Sequence, residues 1–298
     1  MEAAASLVWN SLATALNDRY VLERELGRGG MATVYLAREL DGGQTVAVKA
    51  MHPELGSALG AERFRREMAI AASLSHRGIV PLFDSGDTGS VLYYLMPYVQ
   101  GESLHDRLER EKRVVLGDAL QITHDVAEAL GYAHGRGILH RDVKPDNILL
   151  SREPSGDRDP TGREPAGRVR ALIADFGLAR AIGAADHTKL TKTGTVVGTI
   201  YYMSPEQLRE DRTIDERADV YSLGGVLYEM LTGAPPFMGR SMTDLVVKIL
   251  KAPVPPVASV NPAVPAAVDQ AIARALAKSP AERFATMQEF AAALPRPG

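Results

Sequence analysis

The 298-residue chain contains no cysteine. This absence excludes disulfide bonds, thiolate nucleophiles and cysteine-based zinc sites, and it is compatible with a reducing cytoplasm. An excess of one charge is also missing, because 34 Lys and Arg are balanced by 37 Asp and Glu, for a net charge of -3. No general basic field therefore favours nucleic acid or anionic lipid, and any recognition of phosphate must be local.

Long apolar runs are absent as well. The longest stretch, residues 220–231, is interrupted by polar residues and glycines, and it falls short of the roughly 18 residues that a membrane span needs. The first residues lack the basic segment that begins a signal peptide. Val8, Leu12 and Leu16 recur there at helical spacing, which predicts a short amphipathic helix within 1–18 that packs on the domain.

The hydrophobic pattern changes once along the chain. Before Val99, the segments YVLEREL, TVYLARE, TVAVKAM and VLYYLMPYV are typical of strands, and AERFRREMAIAASL is the one helical pattern among them. Beyond Gly101 the apolar residues recur at helical spacing. We therefore predict an α+β fold with a smaller sheet lobe over about 19–98, a larger helical lobe over about 99–294 and a tail over 295–298.

Residues 151–170 break the pattern of the larger lobe. This stretch, SREPSGDRDPTGREPAGRVR, contains proline, glycine and alternating charge but no apolar run. We expect a polar insertion, either a projecting hairpin tip or a disordered segment. Ser155 and Thr161 are conceivable modification sites, although a loop without a role is the preferred interpretation.

A glycine cluster lies near the start of the smaller lobe, in LGRGGMATVY, residues 26–35. Glycines allow backbone N–H groups to approach an anion closely, but many such clusters are simple turns. A dinucleotide site needs a helix after its glycines, whereas ATVYLARE predicts a strand. The P-loop pattern GxxxxGK[ST] is absent.

Lys49 lies in the apolar segment VAVK. A lysine in a buried strand needs a partner. One interpretation is a lysine that extends from a sheet edge. The other is a lysine that Glu67, in the predicted helix, holds at bound phosphates.

The stretch HRDVKPDN, residues 140–147, places many polar groups between two apolar runs. Its proline argues against a continuous helix, so it predicts a loop between packed elements. Loops of this kind commonly carry catalytic residues.

These motifs occur together and in one order: the glycine cluster, Lys49, Glu67, HRDVKPDN, DFG at 175–177 and SPE at 204–206. The combination resembles a protein kinase, and most of all the bacterial eukaryotic-like (Hanks-type) serine/threonine kinases, over residues 19–294. The resemblance implies a two-lobed fold with an antiparallel sheet in the smaller lobe. It also implies ATP and Mg²⁺, or alternatively Mn²⁺, as the nucleotide and metal.

The resemblance further implies the roles of individual residues. Catalysis is assigned to Asp142 as the base, Lys144 at the γ-phosphoryl group, and Lys49 with Glu67. Metal binding is assigned to Asn147 and Asp175. ATP binding is assigned to Leu26, Gly27, Arg28, Gly29, Gly30, Val34, Ala47, Lys49, Met96 and Leu149, with the backbone of Tyr98 or nearby hinge residues at the adenine edge. Glu206 with Arg283, and Asp219, are expected to be structural.

The predicted function is ATP-dependent phosphorylation of Ser and Thr hydroxyls in proteins, in the cytoplasm or in the cytoplasmic domain of a longer membrane-anchored kinase. A nucleotide-binding pseudokinase and a small-molecule phosphotransferase are the alternatives. A homodimer through the smaller lobe is implied by analogy alone, and neither nucleic acid nor membrane contact is expected of this segment. Thr191 and Thr193 are predicted sites of activating autophosphorylation, with Arg141 as partner of the phosphate, unless they only reflect a polar loop composition.

Overall fold

A computed structural model of the chain describes residues 2–54, 56, 60–152, 169–176, 200–211 and 213–296. The chain divides into two compact units. The smaller unit contains the described residues of 1–75 and 80–99 with Phe176, and the larger contains the described residues of 76–79, of 100–175 and from 200 onward. Most of the polar insertion and the predicted phosphorylation sites Thr191 and Thr193 lie outside the described residues.

The smaller unit contains a five-stranded antiparallel sheet in the order β1-β2-β3-β5-β4. Its central strands are rich in β-branched and aromatic residues and are buried along most of their length, whereas the edge strand β1 is mostly exposed. The strands are β1 (Tyr20–Arg28), β2 (Ala32–Glu39), β3 (Thr45–Met51), β4 (Asp84–Asp87) and β5 (Leu92–Pro97).

Two helices of the smaller unit pack on this sheet. Helix α1 (Glu2–Leu16) buries Val8, Leu12 and Leu16 in one apolar cluster with side chains of β2, β3 and β5. Helix α2 (Ala61–Ala72) contacts β4 and β5, and its buried residues recur at helical spacing from Phe64 to Ala71. Because successive strand residues point to opposite faces, the residues of β2 and β3 that pack on α1 alternate with those of the other face.

The larger unit is mainly helical and carries a three-stranded sheet in the order β6-β7-β8. Its helix α6 is buried almost all round, as the apolar sequence DVYSLGGVLYEML predicts for a central helix. The helices are α3 (Leu104–Glu111), α4 (Leu116–His134), α5 (Pro205–Leu208), α6 (Arg217–Thr232), α7 (Met242–Lys251), α8 (Ala266–Ala275) and α9 (Met287–Ala293). The strands are β6 (Gly101–Ser103), β7 (Ile148–Arg152) and β8 (Val169–Ile173), and Pro145–Asn147, Val257–Ser259 and Pro280–Glu282 form 3₁₀ turns.

The boundaries of the units differ from the predicted lobes in two places. The N-terminal helix belongs to the smaller unit, because its apolar residues share the core of the sheet. Residues 76–79 belong to the larger unit, because the Gly78 carbonyl accepts a hydrogen bond from the Ile173 N–H at 2.9 Å and Ile79 pairs with Ile173. Among the described residues, no helix has the length and apolar character that crossing a membrane requires.

Candidate active site

The HRDVKPDN loop lies between α4 and β7 and is fixed by one buried carboxylate. Asp219 of α6 accepts the backbone N–H groups of His140 and Arg141 at 2.9 and 2.7 Å, and His134 Nε2 lies 2.7 Å from the same carboxylate. Burial raises the pKa of Asp219, but the hydrogen bond and charge of His134, with smaller contributions from His140, outweigh it and leave the pKa lowered. The carboxylate therefore stays ionised and holds the loop backbone.

Two side chains of the loop converge on Asp142. The Asn147 amide donates to the Asp142 carbonyl at 2.8 Å and to Asp142 Oδ2 at 3.0 Å, and Lys144 Nζ lies 3.0 Å from the same Oδ2. Burial lowers the pKa of Lys144, but the charge of Asp142 and the hydrogen bond to it prevail and raise the pKa. The lysine is thus a cation at neutral pH.

The other carboxylate oxygen of Asp142 differs from Oδ2. Oδ1 is buried, and the described part of the chain offers it no hydrogen-bond partner. An ionised oxygen without a donor is costly in the interior, so such an atom indicates a place where a ligand donates. Oδ1 is therefore the candidate proton acceptor.

Asp175 is placed beside this loop by backbone contacts. His140 Nε2 donates to the Ala174 carbonyl at 2.8 Å, its Nδ1 accepts the Asp142 N–H at 3.2 Å, and the Ala174 N–H donates to the Asn147 carbonyl at 2.9 Å. The two candidate metal ligands, Asn147 and Asp175, thus belong to neighbouring backbone segments. An amide oxygen and a carboxylate fit Mg²⁺, which usually takes one or two protein ligands and completes its shell with phosphates and water.

Two residues of this region have left-handed backbone conformations. Arg141 has φ 67° and Asp175 has φ 70°, and only two further non-glycine residues of the described chain share a positive φ. Such conformations cost energy and persist where surrounding contacts enforce them, as they often do at functional sites.

The smaller unit places its candidate residues in rows across the sheet. Gly27 pairs with Val34, and Val34 pairs with Lys49. In a neighbouring row, Ala47 pairs with Met96. Because paired residues lie on one face, the predicted adenine contacts of β2, β3 and β5 and the predicted phosphate lysine share a face of the sheet.

The glycine turn, residues 29–31, connects β1 to β2 and is closed by a hydrogen bond from the Gly29 N–H to the Ala32 carbonyl at 2.9 Å. Neither Gly27 nor Gly29 has a left-handed backbone, and a Cβ added at Gly27 would have no other protein atom within 4 Å. At Gly29 the nearest such atom would lie 3.8 Å away. Conformation and crowding therefore do not require these glycines, and the free space over the turn suits a bound phosphate.

Comparison with known proteins identifies the family of the chain. A family model described as a protein kinase domain matches residues 20–293. The chain belongs to the protein kinase family. Together with the mycobacterial relatives described next, this match confirms the predicted kinase fold and the predicted class, that of bacterial Hanks-type serine/threonine kinases.

Two mycobacterial relatives illustrate the similarity of this kinase domain. Serine/threonine-protein kinase PknB of Mycobacterium leprae is 40% identical over 287 residues, which cover 94% of this chain and 43% of PknB. Serine/threonine-protein kinase PknJ of Mycobacterium tuberculosis is 41% identical over 275 residues, which cover 91% of this chain and 44% of PknJ. The kinase chain thus spans less than half the length of these relatives.

Several predicted residues have surroundings that the sequence did not indicate. Lys49 is not at a sheet edge, because β3 pairs with both β2 and β5, so that interpretation is wrong. The Arg28 guanidinium forms an ion pair with Glu25 at 2.8 Å, which leaves its backbone as the part of the residue for a nucleotide. The Tyr98 N–H donates to the Thr45 carbonyl at 3.3 Å, so this N–H is already engaged and the predicted contact with an adenine would need its carbonyl or neighbouring hinge residues.

The remaining predicted residues lie where their elements place them. Leu26 is partly buried near the end of β1, Gly30 is exposed in the turn, and Leu149 is partly buried in β7. Glu67 is buried in α2, which is unusual for a carboxylate and indicates a polar or cationic partner.

Sequence reasoning missed two residues that support the loop. His134 contacts Asp219 across 85 positions of sequence, so no local pattern could reveal it. Gln207 donates to the Arg141 carbonyl at 2.9 Å, and its side chain also accepts the Ser204 N–H at 3.0 Å. The pattern Ser-Pro-Glu-Gln is a capping box, which could have drawn attention to Gln207.

Proposed function

We propose that the chain is the catalytic domain of a serine/threonine protein kinase, which transfers the γ-phosphoryl group of ATP to Ser and Thr hydroxyls of proteins. The observation that carries the proposal is Asp142 Oδ1, a buried carboxylate oxygen with no donor among the described residues. The printed names of PknB and PknJ support the serine/threonine class.

The loop residues account for the proton and the charge. Asp142 Oδ1 takes the proton of the acceptor hydroxyl while the hydroxyl oxygen forms a bond to the γ-phosphorus. The bond between the γ-phosphorus and the β-γ bridging oxygen breaks, and ADP leaves. Asn147 and Lys144 both contact Oδ2, which orients the carboxylate and leaves Oδ1 to the hydroxyl. The Lys144 cation then offsets negative charge on the transferring group.

The residues assigned by the resemblance would hold the nucleotide and the metal. Lys49 and the glycine turn would bind phosphates, Val34, Ala47, Met96 and Leu149 would contact adenine, and Asn147 and Asp175 would hold Mg²⁺, or Mn²⁺ in its place. Bound Mg²⁺ would supply positive charge to the phosphate oxygens. The use of ATP favours a cytoplasmic location, either alone or as part of a longer membrane-anchored protein.

Activation by autophosphorylation is part of the proposal. Thr191 and Thr193 lie in the sequence between DFG and SPE, and Arg141 lies next to the proposed base. A phosphothreonine adds about -1.5 to -2 charge and acceptor oxygens that suit a guanidinium. Mass spectrometry of the wild-type chain and of Asp142→Asn would locate the phosphates, and phosphate-free threonines in an active wild-type chain would refute this part.

A homodimer through the smaller unit is proposed from the resemblance alone. The apolar residues on one face of its sheet are already covered by α1, so an interface would have to use other surfaces of the unit. Sedimentation of the chain over a range of concentrations would test it.

The activity itself is tested by incubation with γ-labelled ATP and Mg²⁺, with and without a generic protein acceptor, followed by phosphoamino-acid analysis. Label on serine and threonine that is lost in Lys49→Met and in Asp142→Asn is the expected result. Nucleotide binding without any transfer would indicate a pseudokinase. Transfer to a small molecule but never to protein would indicate a small-molecule phosphotransferase.

A further inference from the structure

Helix α1 covers the face of the smaller sheet that is opposite to Lys49. Val8, Leu12 and Leu16 are buried against one apolar cluster, and Trp9 packs edge-on against Tyr35 of β2, with ring centroids 5.4 Å apart. The same cluster includes residues of β3 and β5. The helix thus contacts the sheet from behind the proposed nucleotide face.

The strand that enters the glycine turn is held by the sheet on one side only. β1 lies at the sheet edge, pairs with β2 alone in the described structure, and shows two register shifts along that pairing. Six of its nine residues are exposed. Its Tyr20 and Leu22 are partly buried against the cluster that α1 completes, so this cluster adds apolar packing to the pairing of β1 with β2.

The contact between Trp9 and Tyr35 lies next to the proposed nucleotide residues. Tyr35 pairs with Glu25 on one side and with Val48 on the other. The adjacent row across the same strands is Gly27, Val34 and Lys49. A displacement of α1 would therefore disturb Tyr35, and Tyr35 is adjacent in β2 to Val34, the residue that pairs with Gly27.

We propose that α1 is a positioning element of the nucleotide site, which holds the β1–β2 hairpin in register through Trp9 and Leu12 so that the glycine turn is preorganised for ATP phosphates. The proposal rests on the proposed function in that it takes the turn to bind ATP. Because coupling is reciprocal, bound nucleotide should also stabilise the packed state of α1.

The test compares two substitutions in the same helix of the full chain. Leu12→Asp places a carboxylate at a position that is 0% exposed, whereas Leu7→Asp makes the same change at a position that is 67% exposed. Trp9 is the single tryptophan of the chain, so its emission reports whether α1 is packed. Affinity for Mg-ADP is measured by calorimetry, with Km for ATP, Km for the protein acceptor and kcat measured alongside.

Leu12→Asp should shift Trp9 emission to the red, because α1 leaves its packed state. When fewer than about one molecule in ten keeps α1 packed, Mg-ADP binding should weaken by about tenfold or more. Km for ATP should rise in parallel, while kcat at saturating ATP and Km for the acceptor stay within about twofold. Leu7→Asp should match the wild type in every readout.

A milder pair keeps the test decisive if Leu12→Asp does not fold. Trp9→Ala should weaken Mg-ADP binding, and Trp9→Phe, which retains a ring against Tyr35, should restore most of it. Unchanged affinity in folded Leu12→Asp or in Trp9→Ala would overturn the positioning role alone. A wild-type chain that binds no Mg-ADP would instead overturn the proposed function, and the positioning role with it.

Discussion

The buried ion pair between Glu206 and Arg283 should be among the most sensitive positions of the larger unit. Two guanidinium nitrogens of Arg283 donate to the two carboxylate oxygens at 2.7 and 2.8 Å, and the side chains are 0% and 3% exposed. Arg283 also donates to the Ala277 and Arg217 carbonyls at 2.8 and 2.9 Å. Every polar group of this pair therefore depends on the other partner or on the backbone around it.

Glu206→Gln keeps the shape of the side chain but removes its charge, so the Arg283 cation remains buried without compensation. Loss of one partner from a buried pair costs about 3–5 kcal/mol, and we expect a decrease in the free energy of unfolding in that range. Arg283→Met should cost a similar amount, because it leaves the Glu206 carboxylate buried without its donor.

The double variant Glu206→Gln/Arg283→Met separates the pair energy from general damage. With both charges removed, its cost should fall at least about 2 kcal/mol short of the sum of the two single costs. Urea unfolding followed by circular dichroism measures all four chains. A Glu206→Gln cost below about 1 kcal/mol, or additive single costs, would show that the two charges do not depend on each other for their burial.

Three further predictions concern the buried Asp219, the polar insertion and Gly101 of β6. The pKa of Asp219 is lowered from its ordinary value of 3.8, so its carboxylate stabilises the folded state fully above that pH and ceases to do so as the pH falls through the lowered pKa. Urea midpoints of the wild type should therefore drop more steeply below about pH 4 than those of Asp219→Asn, and parallel curves would contradict this. Replacement of residues 153–168 by Asn-Gly should leave activity and melting temperature nearly unchanged, because Arg152 and Val169 are paired across β7 and β8 and a two-residue turn can join them. Loss of Mg-ADP binding in this variant would show that the segment contributes to the nucleotide site. Gly101→Ala should lower the free energy of unfolding by about 1–3 kcal/mol or more, because Gly101 has φ 152° and a Cβ there would overlap a carbonyl oxygen of β7. An unchanged free energy of unfolding would show that the backbone accommodates the added Cβ without strain.

The sequence predicted the parts of the fold that depend on local pattern. The apolar spacing in AERFRREMAIAASL indicated the buried face of α2, and the strand pattern of ATVYLARE excluded a helix after the glycines. The charge and proline of HRDVKPDN indicated a loop between packed elements, and the structure has a loop and a short 3₁₀ turn there.

The sequence failed where a residue's role depends on distant partners. The sequence alone does not decide whether Lys49 lies at a sheet edge or at a phosphate, because strand order follows from pairing over long separations and not from the strand itself. The contact of His134 with Asp219 and the use of the Tyr98 N–H by Thr45 are likewise set by tertiary packing. Arg28 and Glu25 are three residues apart, so regular alternation along β1 would place their side chains on opposite faces of the strand. The strand changes register between Glu25 and Gly27, and the sequence pattern does not reveal this shift.

The central claim is that Asp142 Oδ1 accepts the proton of a protein hydroxyl during phosphoryl transfer. The most direct test is single-turnover transfer from γ-labelled ATP to a protein acceptor by the wild type and by Asp142→Asn, with Mg-ADP affinity measured on the same samples. We expect the substitution to slow transfer by about 10²-fold or more while the affinity for Mg-ADP stays within about threefold. Transfer by Asp142→Asn at nearly the wild-type rate would contradict it.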